Sequence, residues 1–142
     1  INDKYDEKTS HVMPALIKKF LIAKKKRSKS VEIWGSGNPK REFLFSEDCA
    51  EAIYIIMRSD KYYNLINIGS DDEIKIKDLA FLIKKITNYK GNIIFNKKMP
   101  DGVKQKKLDI SKIKKLGWKQ KTSLKDGIQI VINEISKKFN YN

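Results

Sequence analysis

Arginine is scarce in a chain otherwise crowded with positive charge: of 31 basic residues only Arg27, Arg41 and Arg58 are arginine. The single cysteine, Cys49, excludes an internal disulfide and reads as a small core residue. With one histidine, His11, it leaves no Cys/His spacing for zinc, and no metal is assigned. No apolar run approaches the ~18–20 residues of a membrane span, and no basic-then-apolar leader opens the sequence. The chain therefore reads as a globular protein of the cytoplasm. A GxGxxG between a strand and a helix is also missing, so no dinucleotide fingerprint is present. No internal repeat is visible.

What is present is one domain length, 142 residues with 40% hydrophobic content, enough for a modest core. A net charge of +14 first points to a nucleic-acid or anionic-surface binder. The lysines, however, are spread along the whole chain among many Ile and Asn residues, as AT-rich coding produces. The densest basic run, Lys24 to Lys29, reads as a solvated helix end. The sequence opens on Ile1, and it is read as a fragment of a longer protein.

The periodicity predicts a mixed α/β chain. Val12, Leu16, Phe20 and Ala23 recur at helical spacing, with Thr9 or Ser10 as cap and Pro14 in the first turn. VEIWG and REFLF read as strands around the turn GSGNPK. Ser46 is expected to cap a helix that sends Ala50, Ile53, Ile56 and Met57 to the core. NLINIG, 64–69, reads as a strand. A helix through Leu79, Leu82, Ile83 and Ile86 stops near Gly91, and NIIF is the next strand. After a loop with a Pro-Asp-Gly turn come a short helix closed by Gly117 and a last helix capped at Ser123, with Leu124, Ile128, Val131, Ile132, Ile135 and Phe139 as its apolar stripe.

Four residues carry candidate chemistry. Arg41 follows the glycine turn, and its planar guanidinium suits phosphate oxygens where lysine offers only a point charge. Backbone amides of the turn can help hold such an anion. Trp34, just before Gly35, can stack on a planar or sugar face, although the strand pattern alone assigns it to the core. His11 is the sole histidine, beside a helix start, and an imidazole suits proton transfer. Asp101, in the Pro-Asp-Gly turn, can accept hydrogen bonds from a hydroxylated ligand or can simply make the turn. Ser10 has no acidic partner at triad spacing, which argues against serine hydrolysis.

Taken in order, SHVMPALIKKF, WGSGNPKREFLFSEDCAEA, LINIGS, IKDLAFLI, MPDGVKQKKLD and LGW followed by TSLKDGI resemble the GDP-L-fucose synthase family. Its members are NADP-dependent epimerase/reductases among the extended short-chain dehydrogenase/reductases. The resemblance runs from about Ser10 to the C-terminus and implies an α/β fold: the C-terminal, substrate-binding portion without its Rossmann nucleotide-binding half, filling 1–142. It implies that NADP is bound mainly by that other half. It makes His11 a general acid close to the nicotinamide, and Trp34, Arg41 and Asp101 contacts to a GDP-sugar. Lys19 falls on another substrate position, where the family usually has Arg. Gln105-Lys106 stands where Arg-Lys is usual. The whole enzyme is expected to be a homodimer away from membranes. Rival readings are another nucleotide-sugar epimerase or dehydratase of the same superfamily, and a basic nucleic-acid-binding module resting on charge alone.

Overall fold

A computed structural model of the chain describes residues 10–139. Among these, nine elements follow in the order α1 (Val12–Lys25), β1 (Ser30–Trp34), β2 (Lys40–Glu42), α2 (Ser46–Met57), β3 (Glu73–Lys75), α3 (Ile76–Ile86), β4 (Asn92–Asn96), α4 (Ser111–Lys115) and α5 (Leu124–Phe139). The α/β class expected from periodicity holds. β1 and β4 pair in parallel with Val31 opposite Ile93 and Ile33 opposite Phe95. β2 and β3 pair antiparallel, with Arg41 opposite Ile74.

Local chemistry sets the ends of the helices. α1 starts from His11, whose side chain makes no capping bond; Thr9 lies outside the described residues. Its far end closes on Arg27 in the left-handed region at φ 51°, with the Ser28 N–H donating to the Ala23 carbonyl at 2.9 Å. α3 closes the same way on Asn88, φ 55°, three residues before the glycine expected to stop it. Asparagine tolerates this conformation, so the glycine was not needed there. α2 is preceded by Phe45 and has no side-chain cap, which corrects the role given to Ser46. At α5 the expectation holds: Ser123 Oγ accepts from the Asp126 N–H at 3.1 Å and donates to its carboxylate at 2.5 Å.

Two clusters of buried side chains result. The larger joins one face each of α1, α3 and α5 to β1: Ile17, Phe20, Leu79 and Ile83 are fully enclosed, with Val31, Ile33, Ile128, Ile132 and Ile135 around them. Burying each such side chain is worth about 1.5–3 kcal/mol. Tyr89 meets Phe20 edge-on at 5.7 Å and donates its hydroxyl to the Ser28 carbonyl at 2.8 Å. The smaller cluster has only Ala52, Ile110, Ile113 and Trp118 fully inside. It is fastened by Asp48, which is buried, accepts the Thr122 N–H on Oδ2 at 2.9 Å and takes the Trp118 indole N–H on its carbonyl at 3.1 Å.

Three expectations fail around this second cluster. Residues 64–69 join no ladder; the strand in this part of the chain is β3. Of the REFLF run only Arg41 and Glu42 pair, as the end of β2, and Phe43 to Phe45 leave the sheet. α2 turns Asp48 and Ala52 inward and leaves Ile53 and Met57 exposed, because this helix is apolar on more than one side.

Candidate functional site

β1 turns Val31 and Ile33 into the core, so its alternate residues Glu32 and Trp34 face outward. Trp34 is 60% exposed, which overturns its assignment to the core. Lys19 reaches over from α1, its ammonium 5.6 Å from the indole centroid and donating to the Glu32 carbonyl at 3.2 Å. A cation over an exposed indole contributes roughly 0.5–1 kcal/mol. The pair presents a flat aromatic face with a positive charge beside it.

The chain then turns. Gly35 takes φ +80° and donates its N–H to the Asn96 carbonyl at 2.9 Å. Ser36 donates its N–H to Asp101 Oδ1 at 2.6 Å and its hydroxyl to Oδ2 at 2.7 Å, while accepting the Asn38 N–H at 3.1 Å. The Ser36 hydroxyl first, then the Ser36 and Gly37 amides, hold the Asp101 carboxyl below the usual carboxylate range. A Cβ on Gly35 would stand 2.3 Å from Asp101 Oδ1, so glycine is required here twice over. The amides expected to cradle a ligand anion therefore already cradle one, the side chain of Asp101.

Arg41 follows on β2, half-buried. Its Nη1 donates to the Lys40 carbonyl at 2.6 Å, and among the described residues no carboxylate pairs with it. Its Nη2 lies beside Gly102, next to the Asp101 that holds the turn. The Lys40 N–H donates to the Lys104 carbonyl at 3.0 Å, which keeps the 101–105 loop along this edge. Gln105 donates to both carboxylate oxygens of Glu73, at 2.8 and 2.7 Å. Its side chain is thereby tied to the sheet rather than offered to a ligand.

His11 stands elsewhere. It is exposed and lines a groove of about 550 Å³ with Pro14, Phe43, Phe45, Thr122 and Gly127. Trp34, Arg41 and Asp101 do not border that groove. The fold thus gathers Lys19 and Trp34 on one side of the 35–41 turn and Asp101 and Arg41 on the other, and leaves His11 at a second cavity. Ser36 was missed from sequence: nothing in the string connects it with a carboxylate 65 positions on. Phe43 and Phe45 were missed as groove residues because they were read as strand.

This arrangement can be set against known proteins. Residues 2–69 match the NAD dependent epimerase/dehydratase family. A GDP-L-fucose synthase from Sinorhizobium fredii is 43% identical over 126 residues, which covers 89% of this chain and 40% of that protein. The match falls on the C-terminal part of such relatives, so the chain spans about two fifths of their length. Among solved structures, a GDP-L-fucose synthetase from Naegleria fowleri bound to NADP superposes with a TM-score of 0.89 at 26% identity, over 97% of this chain and 44% of that one. A UDP-glucose 4-epimerase from Thermotoga maritima superposes at 0.79, also at 26% identity, over 97% of this chain and 43% of that one. Its structural neighbours are extended short-chain dehydrogenase/reductase epimerases and reductases, each matched over less than half of its length.

Proposed function

We propose that the chain is the substrate-binding portion of an NADP-dependent GDP-4-keto-6-deoxymannose 3,5-epimerase/4-reductase that makes GDP-L-fucose. The observation that carries this reading is the edge on which Lys19 and Trp34 flank one side, and Arg41 the other, of the turn held by Asp101, in a chain 43% identical over 126 residues to a GDP-L-fucose synthase. Trp34 supplies a stacking face for a base or sugar, and Arg41 a planar fork for the diphosphate. Asp101 serves the same ligand by holding the turn between them. His11 returns a proton to the carbon beside the sugar ketone, with the base supplied from outside these residues.

NADP supplies the hydride of the reductive step. The residues described do not suit it by themselves: the one glycine turn after a strand runs into β2 instead of a helix, and its amides are committed to Asp101. We assign the dinucleotide site to a further half of the enzyme, the whole acting as a cytoplasmic homodimer. Among the described residues no helix is long and apolar enough to cross a membrane.

The test joins this chain to the N-terminal portion of the Sinorhizobium fredii relative. The joined protein is expected to oxidise NADPH with the keto sugar, and the chain alone to show none. In the joined protein His11→Asn should slow solvent-deuterium incorporation at the two epimerised carbons by roughly 100-fold or more, with sugar binding changed much less. NADPH turnover by the chain alone, or wild-type exchange in the variant, would refute these assignments.

A further inference from the structure

The fold does not choose a nucleobase. This chain superposes on a protein named for a purine nucleotide, the GDP-L-fucose synthetase, and on one named for a pyrimidine nucleotide, the UDP-glucose 4-epimerase, each at 26% identity. The choice must then lie in side chains along the edge that carries Trp34.

One of these is Glu32. It precedes Trp34 by two positions on β1, so both side chains leave the same outer face, about 6–7 Å apart along the strand. Its Oε1 accepts the side-chain amide of Asn96 at 3.2 Å, and Asn96 Oδ1 in turn accepts the Lys98 N–H at 3.1 Å. The amide is thus engaged at both ends and anchors the carboxylate from one side. Lys19 stands close by, yet it donates to the Glu32 backbone carbonyl, not to the carboxylate. Among the described residues no ammonium or guanidinium pairs with Glu32, and no hydrogen bond reaches its Oε2. In a chain of net charge +14, an anchored carboxylate beside an exposed indole has been left without a cation.

The position of Arg41 gives the ligand a direction. With the diphosphate drawn to Arg41 beyond the turn, a base stacked on Trp34 directs its far edge back along β1, toward Glu32. A carboxylate only accepts hydrogen bonds, through two oxygens side by side. Guanine alone among the common bases offers two neighbouring donors on its pairing edge, the ring N–H and the exocyclic amino group. Adenine and cytosine set one donor beside an acceptor, and uracil sets one between two acceptors. We infer that Glu32 selects guanine by accepting both donors of a base stacked on Trp34. This rests on the reading of the chain as the substrate-binding portion of a GDP-sugar enzyme, and it assigns the base specificity of that site to one residue.

The experiment titrates GDP and IDP, which lacks the exocyclic amino group, into the chain joined to the N-terminal portion of the Sinorhizobium fredii relative. The joined protein is expected to bind GDP about tenfold or more tighter than IDP, the scale of one lost hydrogen bond to a charged group. In Glu32→Gln and Glu32→Ala the preference should fall below about threefold, chiefly through weaker GDP binding. Their melting temperatures should match that of the unsubstituted protein, because Glu32 is exposed. Equal affinity for the two nucleotides in the unsubstituted protein, or an undiminished preference in both variants, would overturn the inference. NADPH oxidation with the keto sugar separates this failure from that of the underlying reading. Turnover without base preference removes Glu32 alone, whereas neither turnover nor nucleotide binding removes both.

Discussion

The two clusters of this molecule follow different rules. Around Phe20, Leu79 and Ile83, three helices and the β1 strand close over each other, and the apolar stripes of α1, α3 and α5 turn inward. Around Trp118, four enclosed residues are overlaid by a helix and the 64–68 stretch, which carry exposed apolar side chains on their outer sides as well. The first region obtains its stability from within the chain. The second leaves Ile53, Tyr54, Met57 and Leu65 exposed on its outside, and the edge that carries Trp34 rests on the first.

Substitutions can break this contrast. Phe20→Ala should produce the largest loss, about 3–5 kcal/mol, read as a lower urea midpoint, because it empties the centre of the self-sufficient cluster. Gly35→Ala comes next, at about 1–3 kcal/mol, from left-handed backbone strain and the displaced Asp101 carboxylate. A melting curve measures it; an unchanged curve would mean that the turn does not depend on Asp101.

The Asp101 bond has a pH signature. Its carboxyl is held below the ordinary aspartate value in the folded chain, so its contribution is present above the unfolded value and disappears as pH falls through the folded one. Carboxyl NMR titration should find its midpoint below the usual range, and Ser36→Ala should return it toward normal. Met57→Ala should have the smallest effect, within about 0.5 kcal/mol by urea titration of the chain alone. A loss like that of Phe20→Ala would show that α2 is a core helix after all.

The same contrast explains what could be read from the string. Helices α1, α3 and α5 were legible because each has one partner side, and a single stripe at helical spacing states it. The order of helices and strands came out right, yet one strand was misplaced. NLINIG has the apolar content of a strand but no neighbour among the described residues, while Glu73–Lys75, short and charged, pairs with β2. Ladder membership depends on a partner that local propensity does not contain. α2 was misread because Ala50, Ile53, Ile56 and Met57 make as plausible a stripe as the residues that face inward. Trp34 was misread as core, although with Val31 and Ile33 inside, alternation turns it out. The grouping of Lys19, Trp34, Arg41 and Asp101 was expected from the resemblance, but the lock between Asp101 and Ser36 required coordinates.

That lock also has a history in time. It closes a loop across 65 positions, and the parallel pairing of β1 with β4 spans a similar distance. Contacts so remote in sequence form late, since the chain must lose loop entropy before they repay it. During synthesis, at about 5–20 residues per second, a nascent chain holds Trp34 and Arg41 for several seconds before Asp101 exists to align them. A truncation just before Pro100 would therefore keep Lys19 against Trp34 and lose the carboxylate that locks the turn leading to Arg41.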